Sequence, residues 1–132
     1  VGTHPRAWMV DNLGTQAYFS LMRLAAIMVG NSSSALLEAA SFELPAVNIG
    51  NRQKGRTRGA NVIDTDNSRE GIGAGLRKAL DPAFRRFLAG SQNPYRREIP
   101  AAETILRILK DQPLDILVPK TFADLPQPQE RS

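Results

Sequence analysis

The chain has 132 residues, of which 42% are hydrophobic, and its formal charge at pH 7 is +4. This length suits one domain, and the composition indicates a folded globular protein rather than a disordered one. Because the sequence has no cysteine and one histidine, His4, it excludes a disulfide framework and a thiolate metal site and disfavours a histidine-built metal centre. We therefore expect no metal and no cofactor.

Charge and hydropathy also limit the partners. A positive charge suits nucleic acid, but aromatic residues make up 6% of the chain and no RNA-binding platform is visible. Solvated helix faces explain most of the scattered basic residues, so no nucleic-acid partner is predicted. The longest apolar stretch, residues 21–29, contains Arg23 and is too short to span a bilayer, and no signal-peptide pattern is present. A cytoplasmic protein without membrane association is expected.

The first elements alternate between strand and helix patterns. Residues 8–10 form a short strand candidate, and the segment after Gly14 has apolar residues at the spacing of one helix face. A second strand is predicted over residues 26–29, ending at Gly30, and a helix follows the serines after it. The apolar positions of these two helices are Tyr18, Leu21, Met22 and Ala25 in the first, and Leu36, Leu37 and Ala40 in the second.

The remaining patterns predict strands over residues 45–49 and 61–63, and helices over residues 68–80 and 82–88. A last helix begins at Pro100, with Ala102, Ile105, Leu106 and Leu109 expected to face inward. The predicted order is β-α-β-α-β-α-β-α-α-α, which indicates an α/β, Rossmann-like open sheet, mostly parallel, with helices on both faces. Residues 1–112 would form this domain, and the proline-rich tail, residues 113–132, would be partly disordered or docked on a neighbour.

Two loops should meet at one edge of this sheet. The serine turn, residues 31–34, follows one predicted strand, and the arginine loop, residues 50–58, follows the next. Ligands of open α/β sheets bind outside the carboxyl ends of the strands, so both loops should face one crevice. Amide and hydroxyl groups at a helix N-terminus, opposite guanidinium and ammonium groups, are suited to phosphate.

The serine turn has competing interpretations. It lacks the lysine of a Walker loop and the flanking glycines of a nucleophile elbow, which disfavours a P-loop ATPase and a serine hydrolase. Asn31 and Ser32 can simply cap a helix, worth about 1 kcal/mol. Capping needs one such residue rather than four in a row, so anion binding is favoured.

Two further side chains carry specific hypotheses. Glu38 lies on an otherwise apolar helix segment, where it can accept both hydroxyls of a ribose or simply face solvent. Arg52, at the base of the arginine loop, can clamp a diphosphate bidentately. Lys54, Arg56 and Arg58 lie further along and can raise the local positive potential.

The motif GNSSS, the glutamate after it, the stretch NIGNRQKGR and the pair Asn61-Val62 together resemble the C-terminal half of the hydrolysing UDP-N-acetylglucosamine 2-epimerases. The resemblance covers roughly residues 11–95. It implies one half of a glycosyltransferase-B-type fold, with no cofactor. Enzymes of this family eliminate UDP from the sugar and add water, giving N-acetylmannosamine for sialic-acid synthesis.

The resemblance also implies residue roles. Ser32, Ser33 and Arg52 would lie at the phosphates and Glu38 at the ribose, with Asn31, Ser34, Gln53 and Arg56 as further candidate UDP ligands. Tyr18 would lie near the uracil, although its place in an apolar stripe favours core packing. No catalytic residue is expected in this chain, because the carboxylates that move the C2 proton belong to the family's N-terminal domain. That domain and a second copy of the full-length enzyme are the expected protein partners.

The sequence departs from the family pattern at two points. After Asn93-Pro94-Tyr95 it continues with two arginines instead of an acidic-glycine turn, and the N-terminal half is missing. We therefore expect a UDP-binding half that is inactive alone. The alternatives are the donor-binding domain of a glycosyltransferase, which shares the fold, and a nucleotide-binding remnant without activity.

Overall fold

The computed structural model describes residues 4–113. The chain divides into two compact units, with the boundary between Arg96 and Arg97. The predicted tail lies almost wholly outside the described residues. None of the helices in residues 4–113 combines the length and the apolar character that a membrane span requires.

The first unit is built on three parallel strands in the order β1-β2-β3. These are β1 (Met28–Gly30), β2 (Ala46–Ile49) and β3 (Val62–Thr65). Gly30 pairs with Asn48, and Asn48 pairs with Asp64, so all three strands end at the same edge. The helices of this unit are α1 (Gly14–Leu24), α2 (Ser34–Leu37), a short 3₁₀ helix (Ala39–Phe42), α3 (Arg69–Leu80) and α4 (Pro82–Leu88).

Helices cover both faces of the sheet, as predicted. Neighbouring residues of a strand point to opposite faces, and β2 shows this clearly. Ala46 packs with Ala35 and Leu36 of α2, whereas Val47 packs with Ala79 of α3. A third cluster joins Met22 of α1 to Ala39 and Leu44, with Tyr18 packed against it. The α/β, Rossmann-like class is therefore confirmed.

The predicted strand over residues 8–10 is wrong. Trp8, Met9 and Val10 have no strand conformation and are 79%, 79% and 59% exposed. A short apolar run suits a strand, but a strand is stable only when a neighbour satisfies its backbone groups and covers its side chains.

The predicted element order is wrong at one further point, because no helix lies between β2 and β3. The chain there follows turns and bends, and Gly50 and Gly55 take φ values of 75° and 83°, which are left-handed conformations that interrupt a helix. The helix after the serine turn is also shorter than its pattern suggests, since α2 ends at Leu37 and a 3₁₀ helix continues the path.

Side chains cap the N-termini of α3 and α4. The Ser68 hydroxyl accepts a hydrogen bond from the Gly71 amide, and the Asp81 carboxylate accepts one from the Ala83 amide. The Ser68 hydroxyl in turn donates to Asp66, 2.6 Å away. This hydrogen bond and one from the Ser68 amide hold the pKa of Asp66 below its usual value.

Helix α5 (Ala101–Asp111) belongs to the second unit. Its bounds agree with the sequence pattern, but the expectation that its apolar residues face inward is wrong for the described residues. Ile105, Leu106 and Leu109 are 56%, 53% and 54% exposed, and Ala102 is also exposed. Periodicity predicts that a helix has an apolar face, whereas burial of that face depends on another element covering it.

Gly75 lets α3 approach the sheet, and it provides a test of the packing. A Cβ at this position would lie 2.7 Å from the Cγ2 atom of Thr65, whereas at Gly73 the nearest atom would be a guanidinium nitrogen of Arg77 at 3.5 Å. Gly73→Ala should raise the free energy of unfolding by about 0.5–1 kcal/mol through helix propensity. Gly75→Ala should lower it by about 1–3 kcal/mol through overpacking. Urea denaturation measures both, and equal effects would contradict the close approach.

Candidate functional site

The serine turn and the arginine loop lie side by side, as the strand order predicts. They follow β1 and β2, which are neighbouring parallel strands that end at the same edge. Gln53 of the arginine loop is 3% exposed, and its side-chain Nε2 donates a hydrogen bond of 2.7 Å to the backbone carbonyl oxygen of Asn31. A buried side chain therefore joins the two loops directly.

The serine turn offers hydroxyl groups more than a helix dipole. Asn31 and Ser32 are exposed, and Ser33 and Ser34 are half-buried. The Ser32 hydroxyl accepts a hydrogen bond of 3.3 Å from the Ser34 amide within the turn. The N-cap residue of α2 is Ser33, whose side chain makes no capping hydrogen bond, so the interpretation of Asn31 and Ser32 as helix caps is not confirmed. Helix α2 has four residues and one turn, so its macrodipole is small. An anion at this turn would be held by hydroxyl and amide groups.

The arginine loop presents positive charge to solvent. Arg52, Lys54 and Arg56 are exposed, whereas Arg58 is half-buried. The side chain of Arg58 forms an ion pair of 2.7 Å with Asp64, the one ion pair within residues 4–113. Three of the four cations in this loop therefore carry charge that no carboxylate neutralises in the described part of the chain.

A second candidate binding surface lies beside α1. An open depression of about 650 Å³ is lined by Glu38 and by residues of the segment 10–19, including Tyr18 and Asp11. One carboxylate oxygen of Glu38, Oε2, is buried and has no hydrogen-bond partner in the described residues. An unpaired buried oxygen is costly, so a donor from a ligand would satisfy it. Neither the serine turn nor the arginine loop contributes to the lining of this depression.

Tyr18 lies both against the core and at the surface of the depression. Its ring packs against the cluster of Met22, Ala39 and Leu44, which confirms core packing. The same side chain lines the depression that Glu38 enters. The structure therefore brings Tyr18 and Glu38 to one surface, and Asn31 and Gln53 to another at the sheet edge.

Several residues that organise this edge have no role in the sequence-based prediction. The Asn93 amide donates to the Leu37 carbonyl and to the Ser41 hydroxyl, and the Tyr95 hydroxyl donates to the Thr57 carbonyl at 3.0 Å. The Asn-Pro-Tyr segment thus braces α2 and the arginine loop. Asp11 is a further carboxylate that the sequence reasoning did not place in the site.

A buried asparagine is the signal that could have revealed part of this network. Asn48 interrupts an apolar strand and is fully buried, and its side-chain amide donates to Asp64 at 2.6 Å. Polar side chains inside strands need partners, so such a residue indicates a hydrogen-bond network nearby. The sequence alone does not say which residues form it.

Comparison with known proteins gives consistent matches. The family model described as UDP-N-acetylglucosamine 2-epimerase matches residues 1–110. A GDP/UDP-N,N'-diacetylbacillosamine 2-epimerase (hydrolyzing) of Campylobacter jejuni is 39% identical over 120 residues, 91% of this chain and 31% of that protein. The polysialic acid biosynthesis protein P7 of Escherichia coli is 34% identical, over 88% of this chain and 30% of its own length.

A third relative is the UDP-N,N'-diacetylbacillosamine 2-epimerase (hydrolyzing) of Legionella pneumophila, 42% identical over 78 residues, 59% of this chain and 21% of that protein. The chain spans less than a third of the length of these curated relatives. The family model, in contrast, covers most of the chain. The chain therefore belongs to the UDP-N-acetylglucosamine 2-epimerase family.

Proposed function

We propose that this chain is the UDP-binding half of a hydrolysing UDP-N-acetylglucosamine 2-epimerase, which releases UDP and N-acetylmannosamine. The observation that carries the proposal is the hydrogen bond between Gln53 and Asn31, which joins a serine turn to an arginine loop at the carboxyl edge of a parallel sheet. This edge is where ligands of open α/β sheets bind.

The diphosphate would be held between the two loops. The hydroxyl groups of Ser32 and Ser33 and backbone amides of the turn donate from one side, and the Arg52 guanidinium donates from the other. Arg56 is exposed on the same loop and adds positive potential. Asn31, Ser34 and Gln53 are further candidate contacts, although the Gln53 amide already binds the serine turn.

The nucleoside would occupy the depression beside α1. A ribose hydroxyl donating to Glu38 would satisfy the buried Oε2 atom, which has no partner in residues 4–113. The Tyr18 ring lines the same depression and would contact the uracil. The phosphates would then extend from this depression to the two loops at the sheet edge.

The chemistry of this half would be stabilisation of the leaving group. Breaking the bond between C1 of the sugar and the UDP oxygen transfers negative charge to the diphosphate, and cations and hydroxyl donors placed beforehand stabilise that charge. Removal of the C2 proton and its return need acid–base groups, which we assign to the N-terminal domain of the same enzyme. The proposal includes a cytoplasmic, self-associating full-length enzyme, with no metal or other cofactor.

The sugar has a second candidate. Two relatives are named for N,N'-diacetylbacillosamine rather than N-acetylglucosamine, and one of these names also includes GDP. This favours UDP-N,N'-diacetylbacillosamine as an alternative substrate of the complete enzyme. A glycosyltransferase donor domain and a non-catalytic remnant remain further alternatives, of which family membership disfavours the first.

The proposal predicts that UDP binds more tightly than UMP. The second phosphate adds charge-assisted hydrogen bonds of about 1.5–3 kcal/mol, so the affinity should differ by about 10-fold or more. NMR titration should show the Tyr18 ring resonances shifting with both nucleotides but not with pyrophosphate. The ring of Phe87 on α4 is exposed and serves as an internal control. Equal affinities would contradict the diphosphate site, and unmoved Tyr18 resonances would contradict the base contact.

A further inference from the structure

One arginine holds the arginine loop in its shape. The Arg58 side chain donates three hydrogen bonds in three directions. Its Nε atom binds Asp64 at 2.7 Å, its Nη1 atom binds the carbonyl of Arg56 at 2.7 Å, and its Nη2 atom binds the carbonyl of Gln53 at 3.1 Å. A planar guanidinium supplies this fixed fork of donors, which an ammonium group cannot reproduce.

The acceptors of Arg58 lie where they control the exposed cations. Gln53 is adjacent to Arg52, and the Arg56 carbonyl belongs to the second exposed arginine of the loop. Gln53 also extends the connection, because its side chain binds the Asn31 carbonyl. Two of the hydrogen bonds of Arg58 therefore restrain the backbone at Arg56 and at Gln53, the neighbour of Arg52, and the Gln53 side chain links the loop to the serine turn.

Arg58 is attached to the sheet through Asp64. Asp64 lies on β3 and uses one carboxylate oxygen for Arg58 and the other for the Asn48 amide, 2.6 Å away on β2. Asn48 is fully buried, whereas the Arg58 and Asp64 side chains are 29% and 48% exposed. The position of the Asp64 carboxylate is therefore set by β3 and by the buried Asn48, and this carboxylate in turn orients the Arg58 side chain.

We propose that Arg58 is a positioning residue for diphosphate recognition, held by Asp64 and Asn48, and that it aims Arg52 and Arg56 without binding the ligand itself. The inference rests on the proposed function. Three of the five N–H groups of the Arg58 guanidinium, one on each nitrogen, already donate to protein acceptors, and this holds the side chain within the loop. Preorganised donors lose less conformational entropy on binding, which is why the shape of the loop should affect affinity.

The decisive variant is Arg58→Lys, which keeps the charge and removes the fork. We expect this variant to lower the affinity for UDP about tenfold and the affinity for UMP less than threefold, so that the protein discriminates less between the two nucleotides. Arg86→Lys, an exposed conservative change on α4, is the matched control and should leave both affinities unchanged. Asp64→Asn should weaken UDP binding to the same extent. The double variant should bind UDP no more weakly than either single variant, because both substitutions remove the same interaction between Arg58 and Asp64.

The free protein provides an independent readout. Hydrogen exchange at the Lys54 and Arg56 amides, which donate to the carbonyls of Asn51 and Gln53, should be faster in Arg58→Lys. A purely structural role would lower the melting temperature and leave the UDP-to-UMP ratio unchanged, and this outcome would overturn the inference. Failure of the wild-type chain to prefer UDP over UMP would instead overturn the proposed function. The two failures are therefore distinguishable.

Discussion

Arg52→Ala is expected to weaken UDP binding by about 1.5–3 kcal/mol, the range for hydrogen bonds to charged groups, which is about 10- to 150-fold in affinity. Arg52 is exposed, follows the end of β2 closely, and precedes Gln53, whose side chain joins the two loops. The lost binding free energy should come from contacts with the diphosphate, so the affinity for uridine should change little. Isothermal titration calorimetry with UDP and uridine measures both quantities.

The matched control is Lys54→Ala. It removes the same charge from the same loop at another exposed residue, and loss of a screened surface charge is expected to cost less than about 1 kcal/mol. If both variants weaken UDP equally, the loop acts through its total charge and not through a guanidinium fork. Unchanged affinity in Arg52→Ala would remove this residue from the site.

The second large effect concerns turnover: the chain alone should bind UDP weakly and catalyse nothing. General acid–base groups contribute typically 10²–10⁴-fold, and exclusion of water with orientation of the sugar adds further to the rate. The proposed ligands of this chain all address the nucleotide, and the depression that Glu38 lines is open. Without the acid–base groups and without the exclusion of water, we expect no measurable release of UDP.

The assay incubates the chain with UDP-N-acetylglucosamine or UDP-N,N'-diacetylbacillosamine and measures free UDP and the free sugar. A second arm adds a separately expressed N-terminal half, which should restore turnover with one of the two substrates. Release of UDP by the chain alone would mean that the chemistry lies in this domain. Asp11, the second carboxylate at the depression, would then be replaced by asparagine to test it as the base.

The exposed helix α5 shows how a correct pattern can give an incomplete prediction. Its 3.6-residue periodicity and the proline before it predict its bounds, and these agree with the structure. The same periodicity says nothing about which surface covers Ile105 or Leu106. The strand predicted over residues 8–10 fails for a related reason, because no local pattern supplies the neighbour that a strand requires.

Local patterns in the sequence determined the positions of the three strands, the starts of α3 and α4, and the fact that the serine turn and the arginine loop each directly follow a strand. These features depend on residues close together in the chain, where spacing and turn preferences act directly. Only the tertiary structure decided that Asn48, Arg58 and Asp64 form one network and that Gln53 joins the loops. The two residues of each of these hydrogen bonds are 6 to 22 positions apart in the sequence. The pairing of parallel strands and the path of the loop between them bring these residues within hydrogen-bonding distance, and local preferences do not encode that pairing.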